Sequence, residues 1–162
     1  MGLIKVDNPY DDDSLGEIEL AMPPRSHLYP LKPIGIETPQ VESLTSYISR
    51  LAEAHCLPMR KLVLHIILPL YGKSYLPSGA EDSNITAFWK DSSAFNGTST
   101  SAGELVGVLE RLTNRDNLRF LTMLPWAEAL SCRYLTRRTK AWCPFCYQEW
   151  QEEGRPIYDP LL

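Results

Sequence analysis

Ser43-Leu44-Thr45-Ser46-Tyr47-Ile48-Ser49-Arg50-Leu51-Ala52-Glu53-Ala54-His55-Cys56, followed by Leu57-Pro58-Met59-Arg60-Lys61-Leu62-Val63-Leu64-His65-Ile66-Ile67-Leu68, is the stretch on which the fold turns. Leu44, Tyr47, Ile48, Leu51 and Ala52 recur at the spacing that lines one face of an α-helix. Ser43 precedes the first apolar position and can accept from the unpaired N–H groups of the first turn. Leu57-Pro58 stops this helix, and Pro58 suits the first turn of another, because its missing N–H has no helical partner to lose. The second helix is expected to run to about Leu68, with Leu62, Val63, Ile66 and Ile67 inward, Arg60 and Lys61 outward, and Pro69 ending it. Two short helices across a tight turn form a helix-turn-helix pattern over about 43–68. The same spacing also describes any antiparallel helix pair of an all-α domain.

Working outward from this pair, residues 1–20 carry six acids (Asp7, Asp11, Asp12, Asp13, Glu17 and Glu19) against Lys5. Residues 1–30 therefore read as an acidic, largely irregular lead, pinned locally where Leu28–Ile34 touches the core. Residues 71–98, rich in Ser, Gly, Asn and Pro, read as a long loop with one helical turn near Ile85–Trp89. A third helix opens at Ser101, where Ser101 and Glu104 have capping-box spacing, and carries the buried stripe Leu105, Val108, Leu109 and Leu112. Arg115–Leu124 reads as a fourth short helix and Pro144–Glu153 as the last, ended by Gly154. No strand-like alternation persists. The expected class is mostly α: a helix-turn-helix-containing N-terminal part, then short helices, then a partial zinc-finger-like CxxC region.

The chain has 162 residues and a net charge of −4, which argues against coating nucleic acid by bulk charge. Its longest apolar run, Leu62–Leu70, is interrupted by His65 and Pro69 and falls short of the roughly 20 residues of a membrane span. Met1–Tyr10 lacks the pattern of an export signal, so a cytoplasmic setting with reduced cysteines is expected.

Chemistry-bearing residues are few. No phosphate-cradling Gly-rich loop and no Gly-x-Ser-x-Gly elbow is present, and no catalytic residue is assigned. His55 and Cys56 are adjacent, but consecutive helix positions point about 100° apart and do not face one another. Between residues 111 and 140 lie seven bases (Arg111, Arg115, Arg119, Arg133, Arg137, Arg138 and Lys140) against Asp116 and Glu128. Arg111, Arg115 and Arg119 recur every four residues and stack on one side if a helix is continuous there. Their guanidinium forks suit phosphate oxygens or a partner's carboxylates, and an ordinary solvated face has the same composition. Cys143-Pro144-Phe145-Cys146 is the sharpest signal: two thiolates two residues apart can share one tetrahedral metal. Structural zinc needs four ligands. Cys132 is a third candidate at an uneven spacing, and no Cys or His follows Cys146, so residues 143–146 supply half a site.

Three stretches together resemble the TniQ family. Val41-Glu42-Ser43-Leu44-Thr45-Ser46-Tyr47-Ile48-Ser49-Arg50-Leu51-Ala52 is similar to its opening signature, with Val41 where the family commonly has Gly. Leu118-Arg119-Phe120-Leu121-Thr122-Met123-Leu124-Pro125-Trp126 is similar to its middle signature. Lys140-Ala141-Trp142-Cys143-Pro144-Phe145-Cys146, with Pro156-Ile157-Tyr158-Asp159-Pro160-Leu161-Leu162, resembles the entry into its zinc-finger region. The resemblance spans about residue 30 to the C-terminus. It implies three regions: the lead 1–30, a helical TniQ-like domain 31–140, and from 141 to 162 the start of a finger whose other ligands lie outside this chain. It further implies a non-catalytic adaptor of Tn7-like transposition that marks an insertion site and recruits the AAA+ ATPase TnsC, in some elements joining it to an RNA-guided CRISPR effector complex. Zinc is the implied cofactor and Cys143 and Cys146 its first ligand pair. DNA, guide RNA and effector proteins are the implied partners; no membrane and no small-molecule substrate is implied. The competing expectation is a stand-alone, sequence-specific DNA-binding selector of the TnsD kind, with Arg60 and Lys61 on the helix that enters a groove.

Overall fold

The computed structural model describes residues 25–71, 92–130, 135–136 and 143–161. Helix α1 (Leu44–Ala54) is capped by Ser43, whose Oγ accepts from the Ser46 N–H at 3.3 Å. Leu44, Tyr47, Ile48, Leu51 and Ala52 are buried, as the periodicity requires. His55 closes the helix and Cys56 turns the chain at φ 52°. The second helical run is α2 (Met59–Leu62), a π turn (Val63–Ile67) and α3 (Leu68–Tyr71) in continuous succession.

Pro69 does not end that run. A proline inside an α-helix clashes with the carbonyl four residues back and removes a hydrogen bond. Here the turn before it is widened, with Leu68 N–H reaching back five residues to the Val63 carbonyl, which makes room for the ring. Tyr71 is therefore still helical and buried, its hydroxyl donating to the Ser101 carbonyl at 3.2 Å.

Helix α4 (Ser92–Phe95) leads into α5 (Thr100–Thr113). The cap of α5 is Ser99, two residues before the expected one: its Oγ accepts from Ala102 N–H at 3.2 Å. Leu105, Val106, Val108, Leu109 and Leu112 form the buried face against α1, Leu62, Val63 and Ile67. Asn114 ends α5 in the left-handed conformation that asparagine tolerates. The expected helix over 115–124 is instead two 3-10 turns, Leu118–Leu121 and Leu124–Trp126. The reason is local. Glu110 Oε1 accepts from the Leu118 N–H at 3.0 Å, Thr122 leaves the helical region at φ −134°, and Pro125 follows. Asn96 ties this layer to α1, exchanging contacts with Thr45 at 3.0 and 3.2 Å while its carbonyl accepts from Met123 N–H.

Helix α6 (Pro144–Glu152) buries no residue, and Gly154 follows it at φ 65°. Beyond it the chain runs back along the entry to α1. Ser43 N–H donates to the Asp159 carbonyl at 2.9 Å and Leu161 N–H to the Val41 carbonyl at 2.8 Å, around an antiparallel bridge between Glu42 and Pro160. No named strand occurs among the described residues, and no helix there is long and apolar enough to cross a membrane. The expected turn at Ile85–Trp89 and the acidic lead as far as residue 24 lie outside the described residues. Leu28 is in the core, with its N–H on the Leu112 carbonyl at 2.8 Å.

Candidate functional site

The basic residues do not form one row. Because α5 stops at Thr113, Arg111, Arg115 and Arg119 do not share a helix face. Arg111 is exposed on the last turn of α5, its Nε on the Gly107 carbonyl at 3.2 Å. Arg119 is exposed on the first 3-10 turn with its guanidinium 4.9 Å from the Phe120 ring centroid. Arg115 turns inward. Its Nη2 and Nε reach the Pro30 carbonyl at 2.7 and 3.1 Å, and its Nε also meets the Leu31 carbonyl. It clamps the segment ahead of α1 to the end of α5 through the Nε–Nη2 edge of its guanidinium. Arg60 and Lys61 are exposed on α2, directly after the turn from α1. Arg133, Arg137, Arg138 and Lys140 lie outside the described residues.

Next to Arg119 the two 3-10 turns leave large apolar side chains outward. Trp126 is 56% exposed, and Phe120 and Leu130 are also exposed. Leu130 N–H donates to the Trp126 carbonyl at 2.9 Å, one helical turn apart, so these two side chains share a face. An aromatic beside an arginine on an exposed turn suits stacking against a base or packing against a protein.

A pair that the sequence reading passed over joins three segments. The Glu42 side chain is fully buried, and both its oxygens are held by Arg50: Nε–Oε1 at 2.6 Å and Nη2–Oε2 at 2.8 Å. Ile34 N–H adds a third donor to Oε2 at 3.2 Å, while Arg50 Nη2 also reaches the Lys32 carbonyl. A carboxylate taken out of water needs this many donors. The only hint in the sequence was an acid just ahead of a cap and an arginine two helical turns inside, too common a pattern to single out.

His55 and Cys56 form no working dyad. His55 Nε2 accepts from the Tyr29 N–H at 2.9 Å, and its ring stacks on Tyr29 at 4.2 Å. The histidine holds the segment before α1 in place. An open cavity of about 730 Å³ lies beside the start of α5, lined among others by Ser93, Thr98, Ser99, Leu130 and Thr136. None of its described lining side chains titrates, so it offers hydroxyls and methyls and no acid, base or nucleophilic thiol.

Cys143 is the N-cap of α6 and Cys146 sits in its first turn. Cys146 donates to Cys143 through its backbone N–H and its thiol, and these bonds hold the Cys143 thiol below its ordinary range. The same thiol contact, from the donor's side, pushes Cys146 up. Both thiols thus sit at the start of α6. Among the described residues no group of three Cys, His, Asp or Glu could hold a metal, and Cys132 lies outside them. The two thiols would supply two of the four donors a structural zinc takes, and the described residues do not complete such a site.

What positions α6 is the returning segment. The Tyr147 hydroxyl donates to Asp159 Oδ1, Asp159 N–H donates to Ser46 Oγ at 2.9 Å, and Tyr158 stacks on Trp150 at 4.9 Å. Burial, and then the bond to Asp159, push the Tyr147 phenol well above the ordinary tyrosine range.

The TniQ family model matches residues 33–159, which take in α1 through α6, the Glu42–Arg50 pair and the returning segment as far as Asp159. No curated protein matches the chain.

Proposed function

The chain belongs to the TniQ family of transposition-associated target-selection proteins, and from that membership we propose that it works as an adaptor recruiting a TnsC-type AAA+ ATPase to an insertion site. TniQ proteins are generally non-catalytic adaptors. The observation carrying this reading is that the match runs through all the helices of the described chain rather than one motif. The surfaces assigned to partners are the exposed side of α2, with Arg60 and Lys61, and the exposed Arg119–Phe120 and Trp126–Leu130 pairs. Arg111 and Arg119, with Arg133, Arg137, Arg138 and Lys140, form the contribution toward nucleic acid. Arg115 belongs to the same stretch, with its Nε–Nη2 edge engaged by the Pro30 carbonyl. An RNA-guided effector complex is a further partner in this reading, and zinc on Cys143 and Cys146 a further component, its other donors coming from outside the described residues.

Co-sedimentation with nucleotide-bound TnsC on duplex DNA tests the adaptor role. Association at micromolar concentration is expected, and its absence would remove the proposal. Charge reversal of Arg137 and Arg138 is expected to weaken nucleic-acid contact and flatten its salt dependence, whereas reversal of Arg115 should act through folding instead.

A second reading is favoured by one observation: two helices meet across His55–Pro58, and the second opens with exposed basic residues. In that reading α2 enters a major groove and the chain selects DNA without TnsC. A gel shift on target-site DNA lacking TnsC separates the two.

A further inference from the structure

A line of hydrogen bonds passes through the first turn of α1 and joins two parts of the surface that share no element. It starts at α6, where the Tyr147 hydroxyl donates to Asp159 Oδ1. Asp159 is seated on α1: its N–H donates to Ser46 Oγ at 2.9 Å and its carbonyl accepts from Ser43 N–H at 2.9 Å. Ser43 Oγ accepts from Ser46 N–H at 3.3 Å and shares a hydroxyl proton with Thr45 Oγ1 across 3.4 Å. Thr45 holds Asn96 twice, its Oγ1 accepting from Nδ2 at 3.0 Å and its N–H donating to Oδ1 at 3.2 Å. The line ends at the second 3-10 turn. The Asn96 carbonyl accepts from Met123 N–H at 2.9 Å, and the Met123 carbonyl accepts from the N–H of the exposed Trp126 at 3.0 Å.

We propose that the seating of the returning segment and the order of the Trp126 turn are coupled through this line, so that an occupant of either surface changes the other. Burial is what makes the line transmit. Ser43, Thr45 and Ser46 are 2%, 4% and 3% exposed, so water cannot replace a lost partner there unless the turn itself opens. When Asp159 withdraws, Ser43 N–H and Ser46 Oγ each lose a partner inside the protein at the same moment. The first turn of α1 is thus the element with two arrangements, one closed by Asp159 and one opened to water, in which the Ser43–Thr45–Asn96 contacts relax. The relaxed Asn96 no longer fixes Met123, where the Trp126 turn begins. The effect is reciprocal: whatever steadies Trp126 favours the seated segment by the same factor. Helix α5 contributes no group to the line, so the transmission bypasses the aliphatic core. The coupling is internal to the chain and stands apart from the TnsC reading, because it needs neither ATPase nor nucleic acid.

The test is native-state amide exchange on the full chain with no partner present. Tyr147→Phe withdraws the phenol from Asp159. Exchange at the Asp159 and Met123 N–H groups should quicken together, each by about fivefold, the factor that one ordinary hydrogen bond carries. The Leu109 N–H in α5 should keep its wild-type rate. Two further variants cut the line between the ends. Thr45→Val keeps the shape of the side chain and removes its hydroxyl, and Ser46→Ala removes the acceptor of the Asp159 N–H while leaving a good helix former in α1. On either background, adding Tyr147→Phe should leave the Met123 rate where it was, and the second background carries the test if the first does not fold. Quickening at Asp159 with none at Met123 would overturn the proposal, as would a Met123 response that persists on the cut backgrounds. A Leu109 rate rising in step would overturn it by revealing a single cooperative opening. An unmoved Asp159 rate would overturn it too, because the phenol would then not seat the segment.

Discussion

The body built from α1, α2, α3 and α5 and the arm built from α6 and residues 155–161 are held by different physics. In the body, aliphatic side chains from four helices interlock; Leu44, Ile48, Leu51, Leu105 and Leu109 are all fully buried. In the arm nothing on the helix is buried, and its place is set by directional contacts, among them the Tyr147–Asp159 and Asp159–Ser46 hydrogen bonds, the Trp150–Tyr158 stack and a short backbone pairing. Non-directional burial gives the body cooperative stability. Directional contacts give the arm a defined position at small cost to break, so it should open locally while the body stays folded.

The sharpest way to break this contrast is to damage the body. Leu109→Ala is expected to lower global stability by about 3–4 kcal/mol, read by denaturant unfolding, because a fully enclosed side chain leaves a cavity. Arg50→Ala should cost about 3 kcal/mol by leaving the Glu42 carboxylate buried and uncompensated, and it should loosen the arm too, since Glu42 bridges to Pro160. Trp150→Ala should cost about 1 kcal/mol and act on the arm alone. Amide exchange should quicken at residues 157–161 and hold steady in α5. A uniform rise in both places would mean that arm and body are one cooperative unit.

The smallest effect is a pH dependence. The Tyr147 phenol is raised above its ordinary value of 10.0, so the folded state keeps its proton where the unfolded chain begins to lose it. Its contribution is complete below pH 10 or so and falls away as pH climbs toward the folded value. Tyr47 and Tyr158 are raised in the same direction, chiefly by burial. Wild-type stability should thus decline at strongly alkaline pH, and Tyr147→Phe should make that decline shallower. An identical slope in the variant would show that the Tyr147 phenol, through burial and the Asp159 bond together, contributes no proton-linked stability.

How much of this was readable beforehand follows the same division. Helix α1 could be read because its stripe, its serine cap and its stop all agree, and the body is dominated by such short-range signals. The continuation of the second helical run through Pro69 could not, because a local rule about proline was overridden by a widened turn that no residue type announces. The 115–124 segment misled because Arg111, Arg115 and Arg119 have helical spacing, whereas the chain there is governed by the left-handed Asn114 and by Glu110 capping Leu118. The arm was least legible. Tyr158 and Gln40, joined by a 3.0 Å hydrogen bond, are 118 positions apart, and nothing periodic marks residues 155–161. For the candidate site, the cysteine pair announced itself by spacing, while the inward role of Arg115 and the Glu42–Arg50 pair appear only once the chain is folded.

The widened turn at Val63–Ile67 has one more effect. It inserts an extra residue's worth of rotation midway along the run from Met59 to Tyr71. A ruler taken from a straight helix, counting forward from Arg60 to decide which side chains meet a groove or a neighbour, therefore loses its phase after Leu62. Leu70, exposed near the far end, lies on a bearing that such counting would assign to a different position.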